Sequence, residues 1–378
     1  MQLGMSRNTP TPILFRMHII VAPDSFKGTA SAAQAAAAIA GGLRAALPDA
    51  TITTLPMADG GEGTAEILAN AAALFGAEVQ TVTLPTTDAV GRLTEASYYL
   101  AGEQALIDVA SATGLPAVAD ALNPLHSDSY GTGVLIADAE SRGAKHIVLC
   151  LGGSATIDGG MGILAALGAA AHDDRGYALP KGGAPLVRLA SIDTAQLNIK
   201  AGALDYTLLA DTRAIPVQAA TMYGPQKGAE GEQVALLAGA LLQLCEVTGV
   251  DETAESFGAA GGIPIALRWL SETLWGNDEH FELLAGGAYV AEKMGLPEKI
   301  SQADLIITGE GRFDEQSLTG KVVGTLADLA DKTPLGIIAG SIDAPLPDGA
   351  IGVELGKEGD VVEQLREAAI QLAAKFAG

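Results

Sequence analysis

Three segments of the chain repeat one local plan: an apolar run, a polar loop bearing glycine, then a helix. Ile19-Ile20-Val21-Ala22-Pro23 leads into Asp24-Ser25-Phe26-Lys27-Gly28, Ile147-Val148-Leu149-Cys150-Leu151 into Gly152, and Leu305-Ile306-Ile307-Thr308 into Gly309. Helices are predicted after each: one opened by the capping-box pair Ser31 and Gln34 and stopping near Gly41-Gly42, one from about Met161, and one over Val322 to Ala330. Further strands are predicted at Ala105–Val109, Tyr206–Ala210 and Leu335–Ala339. Strands alternating with helices at this spacing restrict the fold to an α/β class with a mostly parallel sheet. Ligands of such sheets sit at the carboxyl ends of the strands, where these loops fall.

Composition fits that architecture. A hydrophobic content of 48% with only 4% aromatics means a core of Ala, Val, Leu and Ile, as buried parallel strands require. At 378 residues the chain exceeds the usual limit of one core, about 250–300 residues, so two domains are expected. Breaks at Leu84-Pro85-Thr86-Thr87-Asp88 and near Gly286-Gly287 suggest a discontinuous domain (17–84 plus 287–378) around an inserted one (85–286). Residues 1–16 read as a disordered extension or a misassigned start, because the first strand-like run begins just after Met17.

The net charge of −23 argues against a nucleic-acid surface, which needs clustered Lys and Arg. An anionic substrate must therefore meet a locally basic pocket. No run reaches the roughly 18 apolar residues of a membrane span, and a cytoplasmic location is expected. Cys150 and Cys245 have no ligand-type spacing and read as core residues. The five histidines are scattered and give no triad or metal pattern.

Chemistry concentrates in four glycine-rich stretches: Ala58-Asp59-Gly60-Gly61-Glu62-Gly63-Thr64, Gly152 to Gly160, Gly224-Pro225-Gln226-Lys227-Gly228, and Gly309-Glu310-Gly311-Arg312-Phe313-Asp314. Glycine lets several backbone N–H groups face one anion, while carboxylates beside them hold a hard cation or accept a proton. Neither a P-loop nor a Rossmann fingerprint is present: Gly320-Lys321 is followed by Val322, and Gly309-x-Gly311 lacks the third glycine. Phosphoryl transfer needs a cation on the moving group, a metal ion on the phosphate oxygens and a proton acceptor. Lys27, in a strand-to-helix loop, is the leading cation; Lys227 and Arg312 are further candidates. Asp59 is the first choice for general base or metal ligand and Asp211 the second, although Asp59 has the alternative of capping the next helix. Glu62, Glu310 and Asp314 are candidates for the metal shell. Ser25, Gly60, Gly61, Gly152, Gly153, Ser154, Thr156 and Gln226 are candidates for substrate or phosphate binding, with local loop structure as the alternative for the hydroxyls.

Five of these motifs, from Asp24-Ser25-Phe26-Lys27-Gly28 through Pro56 to Thr64, Leu151 to Gly160, Gly224 to Ala229 and Thr308 to Asp314, stand in the order seen in type I glycerate kinases, and the chain resembles that family from about Met17 to its end. The resemblance implies ATP-dependent phosphorylation of D-glycerate with Mg²⁺, usually to 2-phosphoglycerate. It also implies a flavodoxin-like outer domain, an inserted α/β domain and an active site between them. Where the family commonly has Asp-x-x-Asn-Pro-Leu, this chain has Asp211-Thr212-Arg213-Ala214-Ile215-Pro216, so the carboxylate matches and the Asn does not. The altered loops at Arg213 and Phe257 leave open a kinase of another small hydroxy acid, and a non-catalytic relative is the remaining alternative. The phosphorylated position, the loop that holds ATP and the oligomeric state are not legible in the residues.

Overall fold

A computed structural model describes residues 16–356 and 358–377; the proposed N-terminal extension, apart from Arg16, lies outside them. Strands β1 (His18–Val21) and β2 (Thr51–Thr54) come first, followed by β3 (Val79–Thr87), β4 (Leu93–Ala101), β5 (Gln104–Asp108) and β6 (His146–Cys150). A short ribbon, β7 (Ala170–His172) and β8 (Ser191–Asp193), precedes β9 (Asp205–Ala210), β10 (Phe281–Ala285), β11 (Leu305–Glu310), β12 (Leu335–Ala339) and β13 (Ile351–Glu354).

These strands make two main sheets. The first runs β13-β12-β11-β1-β2, parallel throughout, with Ile19 opposite Leu305 and Ile52. Read from β2, that is the 2-1-3-4-5 order of flavodoxin-like folds, whose switch point lies between β1 and the third strand. The second sheet runs β10-β9-β6-β5-β4-β3; it is parallel from β10 to β5 and antiparallel from β5 to β3. The 84/85 division drawn from the sequence falls inside β3, which pairs along its whole length with β4. The division at 286/287 falls at the start of the helix Gly286–Lys293.

Helix α1 (Ala32–Ala46) begins as its sequence dictates: Gln34 N donates to Ser31 Oγ at 3.2 Å, and Ser31 N donates to Gln34 Oε1 at 2.9 Å. It does not stop at Gly41-Gly42. It runs on to Ala46, because Gly42 is a packing site: a Cβ there would collide with the Arg366 carbonyl of the helix Val361–Ala377. The two helices cover one face of the first sheet around Ile39, Leu43, Leu365 and Leu372. On the other face, α2 (Thr64–Leu74) and the helices Gly286–Lys293 and Val322–Ala330 share a core with both sheets, joining Ile20 and Ile306 to Val148 and Leu209. A third core lies beyond the second sheet. Cys150 and Cys245 are buried and free. Among the described residues no helix is long and apolar enough to cross a membrane.

Candidate active site

A cavity of about 920 Å³ opens where the carboxyl ends of the two sheets meet. Its walls are segments that follow parallel strands: Asp24 to Ala33 after β1, Leu55 to Met57 after β2, Leu151 to Ser154 after β6, and Asp211 with Thr212 after β9. Gln226 and Lys227, Ala259 to Gly261, and Gln316 and Lys321 close it. Loops at strand ends are free to carry side chains into a ligand because the sheets hold their backbones in place.

Two lysines face this space in opposite surroundings. Lys27 is ringed by carboxylates: burial draws its pKa down, but Asp59, Asp211, Asp24 and Glu310 together hold it above the ordinary lysine value. Its ammonium is therefore a permanent charge. Asp24, on the cavity wall and only 8% exposed, accepts from Ser25 N at 2.6 Å. Burial, then the Asp59 carboxylate, pushes its pKa up to about 8. Asp211 is raised by burial and by Asp59, while Glu310 is pushed up to about 7 chiefly by burial. The Glu310 Oε1 is buried without a hydrogen-bond partner.

Lys227 is 4% exposed, and its Nζ donates to Ser154 Oγ and to the Thr156 carbonyl, both at 2.9 Å. No carboxylate touches it. Burial brings its pKa down to about 7, offset in part by Asp158. Asp158 is wholly buried and accepts from Ser129 N and Oγ at 2.8 Å, Gly162 N at 2.9 Å and Gly160 N at 3.1 Å. This carboxylate pins the Gly152 loop against the N-terminus of Tyr130–Ser141, which holds Ser154 and Thr156 under Lys227.

The glycines serve packing as much as ligand access. Gly152 N donates to the Gly60 carbonyl at 3.0 Å, and a Cβ on Gly152 would collide with Gly61 Cα. The two loops thus meet backbone to backbone, a contact only glycine allows. Ala260, on the cavity wall, has φ 49° and ψ 37°, a left-handed conformation that is costly for a residue with a Cβ.

The structure brings Ser25, Lys27, Glu62, Gly152, Gly153, Ser154, Asp211, Gln226 and Lys227 onto one cavity wall. Asp59 lies behind it, 4% exposed, accepting from Gly61 N at 3.1 Å. It does not cap α2; Asp108 at the end of β5 does so, accepting from Gly63 N at 2.8 Å and Ala65 N at 3.0 Å. Gly60 and Gly61 pack against the second sheet and the Gly152 loop. Thr156 offers Lys227 its carbonyl, while its hydroxyl is buried without a partner. Arg312 is off the wall, two-thirds exposed and paired with Asp343 at 2.8 Å. Asp314 caps the short helix Glu315–Leu318, accepting from Gln316 N.

Glu62, Glu310 and Asp314 do not form a common metal shell; among the described residues no group of three or more His, Cys, Asp or Glu is arranged for one. Two charged residues of the cavity wall, Asp24 and Lys321, were quoted in the sequence without a role. Asp24 was signalled only by its place directly after a strand, and Lys321 by its place just before the helix Val322–Ala330, where its charge acts on Asp211 and Glu310.

Residues 19–353 match the model of the glycerate kinase family. The chain belongs to that family. It is 38% identical over 344 residues to the glycerate 2-kinase of Escherichia coli K12, covering 86% of each protein. It is 35% identical over 351 residues to the glycerate kinase of Halalkalibacterium halodurans, covering 90% of this chain and 86% of the relative. A crystal structure from Salmonella typhimurium LT2, assigned as a glycerate kinase 2, superposes with a TM-score of 0.74 at 34% identity, covering 96% of this chain and 98% of that one. As a member of this family the chain is a kinase, an enzyme of phosphoryl transfer, and its fold is two-sheet α/β with a flavodoxin-like first sheet.

Proposed function

We propose that the enzyme transfers the γ-phosphate of ATP to the 2-hydroxyl of D-glycerate, giving 2-phosphoglycerate and ADP in the cavity between the sheets. The observation that carries this reading is the pair of lysines on one wall, one charged permanently and one chargeable, because the reaction brings together two anions of different kind. The regiochemistry is drawn from the name of the Escherichia coli relative.

Lys27, held cationic by its carboxylates, sits on the transferring phosphoryl group, where charge builds in the transition state. The glycerate hydroxyl oxygen forms its bond to the γ-phosphorus as the bond to the bridging oxygen of ADP breaks. Its proton passes to Asp24, the carboxylate that faces the cavity with a pKa near the working range of a general base. Asp59, behind the wall, is a positioning residue: it holds Gly61 and keeps the Asp24 pKa high. Lys227 receives the glycerate carboxylate, with Ser154 and Gln226 beside it.

Magnesium, when bound with the nucleotide, would neutralise phosphate charge and align the oxygens. The donor set fits such an ion: Mg²⁺ is usually bound through one or two carboxylates plus substrate phosphates rather than by an all-protein cage. Asp211 faces the cavity, and Glu310, whose Oε1 is buried without a partner, acts with it on the same Lys27. These two would hold it.

We also propose that each main sheet centres one domain, the five-stranded one built from both ends of the chain. A coupled ADP-release assay with Mg-ATP and D-glycerate, with separation of the two phosphoglycerates, tests the activity. Glycerate-dependent release of ADP with 2-phosphoglycerate as product is expected; 3-phosphoglycerate would overturn the regiochemistry, and no turnover would overturn the substrate. The altered segment Asp211 to Pro216 supports a second reading, another small hydroxy acid, which the same assay reads with a substrate panel.

A further inference from the structure

A three-carbon acid and a triphosphate tail account for only part of the cavity. Its volume, about 920 Å³, falls at the upper end of the roughly 300–1,000 Å³ of sites for drug-sized ligands. The surplus is an apolar slot. Ile67, Asn70, Ala71 and Leu74 follow one another at helical spacing on a single face of α2, and all four line the cavity. Leu55, just after β2, and Met294 add to the same wing, and the first turn of α1 lines the cavity as well. Leu74 is 79% exposed, a large apolar side chain with little cover, and Asn70 is exposed beside it in the helical row. The slot is continuous with the polar end that holds Lys27, Ser154 and Lys227.

We propose that this slot between α2 and the start of α1 seats the purine base of the nucleotide, with Ile67 and Leu74 against its face and Asn70 on its edge. The proposal rests on the reading of the enzyme as an ATP-dependent kinase. A planar, weakly polar base suits aliphatic walls, and a carboxamide offers one acceptor and one donor side by side, the pattern that complements an adenine N6–H and its neighbouring ring nitrogen. A guanine edge, with a carbonyl in place of the amine, does not match in the same orientation. Glycerate is placed by exclusion at the other end, on Lys227.

The test is steady-state kinetics of the full chain carrying Leu74→Asp or Asn70→Ala, two substitutions at exposed positions whose folding is checked by thermal melting. Each should raise the KM for ATP about tenfold, the scale of a lost apolar or polar contact in a binding site, while the KM for D-glycerate stays within about twofold. Asn70→Ala should also narrow the preference for ATP over GTP. An unchanged KM for ATP, or a rise confined to glycerate, would overturn the assignment. Equilibrium binding of a fluorescent N-methylanthraniloyl-ATP, without any acceptor, keeps the slot testable apart from turnover. Weaker binding by both variants supports it even if glycerate proves to be the wrong substrate, and unaltered binding sinks it even if glycerate proves to be right.

Discussion

Lys27 and Lys227 face one cavity, yet their surroundings treat their charge in opposite ways. Four carboxylates keep Lys27 protonated. Burial, with only a hydroxyl and a carbonyl in contact and no carboxylate, brings Lys227 down to a pKa of about 7. A permanent cation suits an anion whose charge is always present and grows during reaction. A cation that charges on demand suits a ligand that comes and goes, since a buried ammonium without a counter-ion is costly. The two lysines are thereby distinguished by proton chemistry before any ligand enters.

The widest gap between the two surroundings should appear on removing a carboxylate that acts on the first lysine. Asp24→Asn is expected to lower kcat by about 10²–10⁴, the range of a lost general base, with the fold retained; a near-wild-type kcat would remove Asp24 from that role. Next, Lys27→Met should depress kcat with little change in the KM for glycerate, whereas Lys227→Met should act mainly on that KM. An identical pattern for both would erase the distinction. The third test uses pH. The wild-type kcat should rise with pH through a limb near 8 as Asp24 ionises, and Asp59→Asn should move that limb to lower pH, because the charge that raises the Asp24 pKa is gone. A limb that stays in place would show that Asp59 does not set it.

Two smaller effects sharpen the contrast. Glycerate binding at pH 8 should take up protons, since a carboxylate beside Lys227 lifts its pKa from about 7 and charges it; calorimetry in buffers of different ionisation enthalpy measures this, and no buffer dependence would count against it. Stability of the ligand-free protein should fall as pH rises from about 4.5 to 7. Asp24 and Glu310 have folded pKa values of about 8 and 7, against 3.8 and 4.5 as reference values. From about pH 4.5 to 7 these two groups bind more protons in the folded state than in the unfolded one, so raising pH there favours unfolding; above pH 7 Lys227, lowered from 10.5 to about 7, acts in the opposite direction. Asp24→Asn should flatten the slope in denaturant titrations.

Much of the frame was legible in the residues. The apolar runs at 19, 147, 305 and 335 are strands, the helix Val322–Ala330 matches its predicted span, and the Ser31/Gln34 pair caps α1. Local rules decide these features, because a run of β-branched residues or a capping pair carries its own geometry. Gly41-Gly42 was misleading for the opposite reason: those glycines answer to the helix Val361–Ala377, a partner more than three hundred residues away, and no local pattern reveals it. The site divides in the same way. Lys27, Asp211, Ser154, Gln226 and Lys227 reach the cavity because each follows a strand or lies in a loop packed beside one. Asp59 and Arg312 sit in equally suggestive loops, yet tertiary packing turns one behind the wall and pairs the other with Asp343. Asp24 opens the Asp24-Ser25-Phe26-Lys27-Gly28 motif and Lys321 precedes a helix, but only the meeting of the two sheets exposes their place on the cavity wall.

The order of the first sheet sets a timetable for synthesis. Strand β1 pairs with β2 and with β11, so after residue 54 has left the ribosome it has only one neighbour until residue 305 is made. The second sheet, from β3 to β10, is translated whole during that wait. A two-strand fragment is marginal in water, so the first fifty or so residues must remain unfinished while the other half of the molecule takes shape beside them. Folding strand by strand in chain order is therefore closed to this sheet: Lys27, in the loop after β1, is translated well before the strand that completes its surroundings.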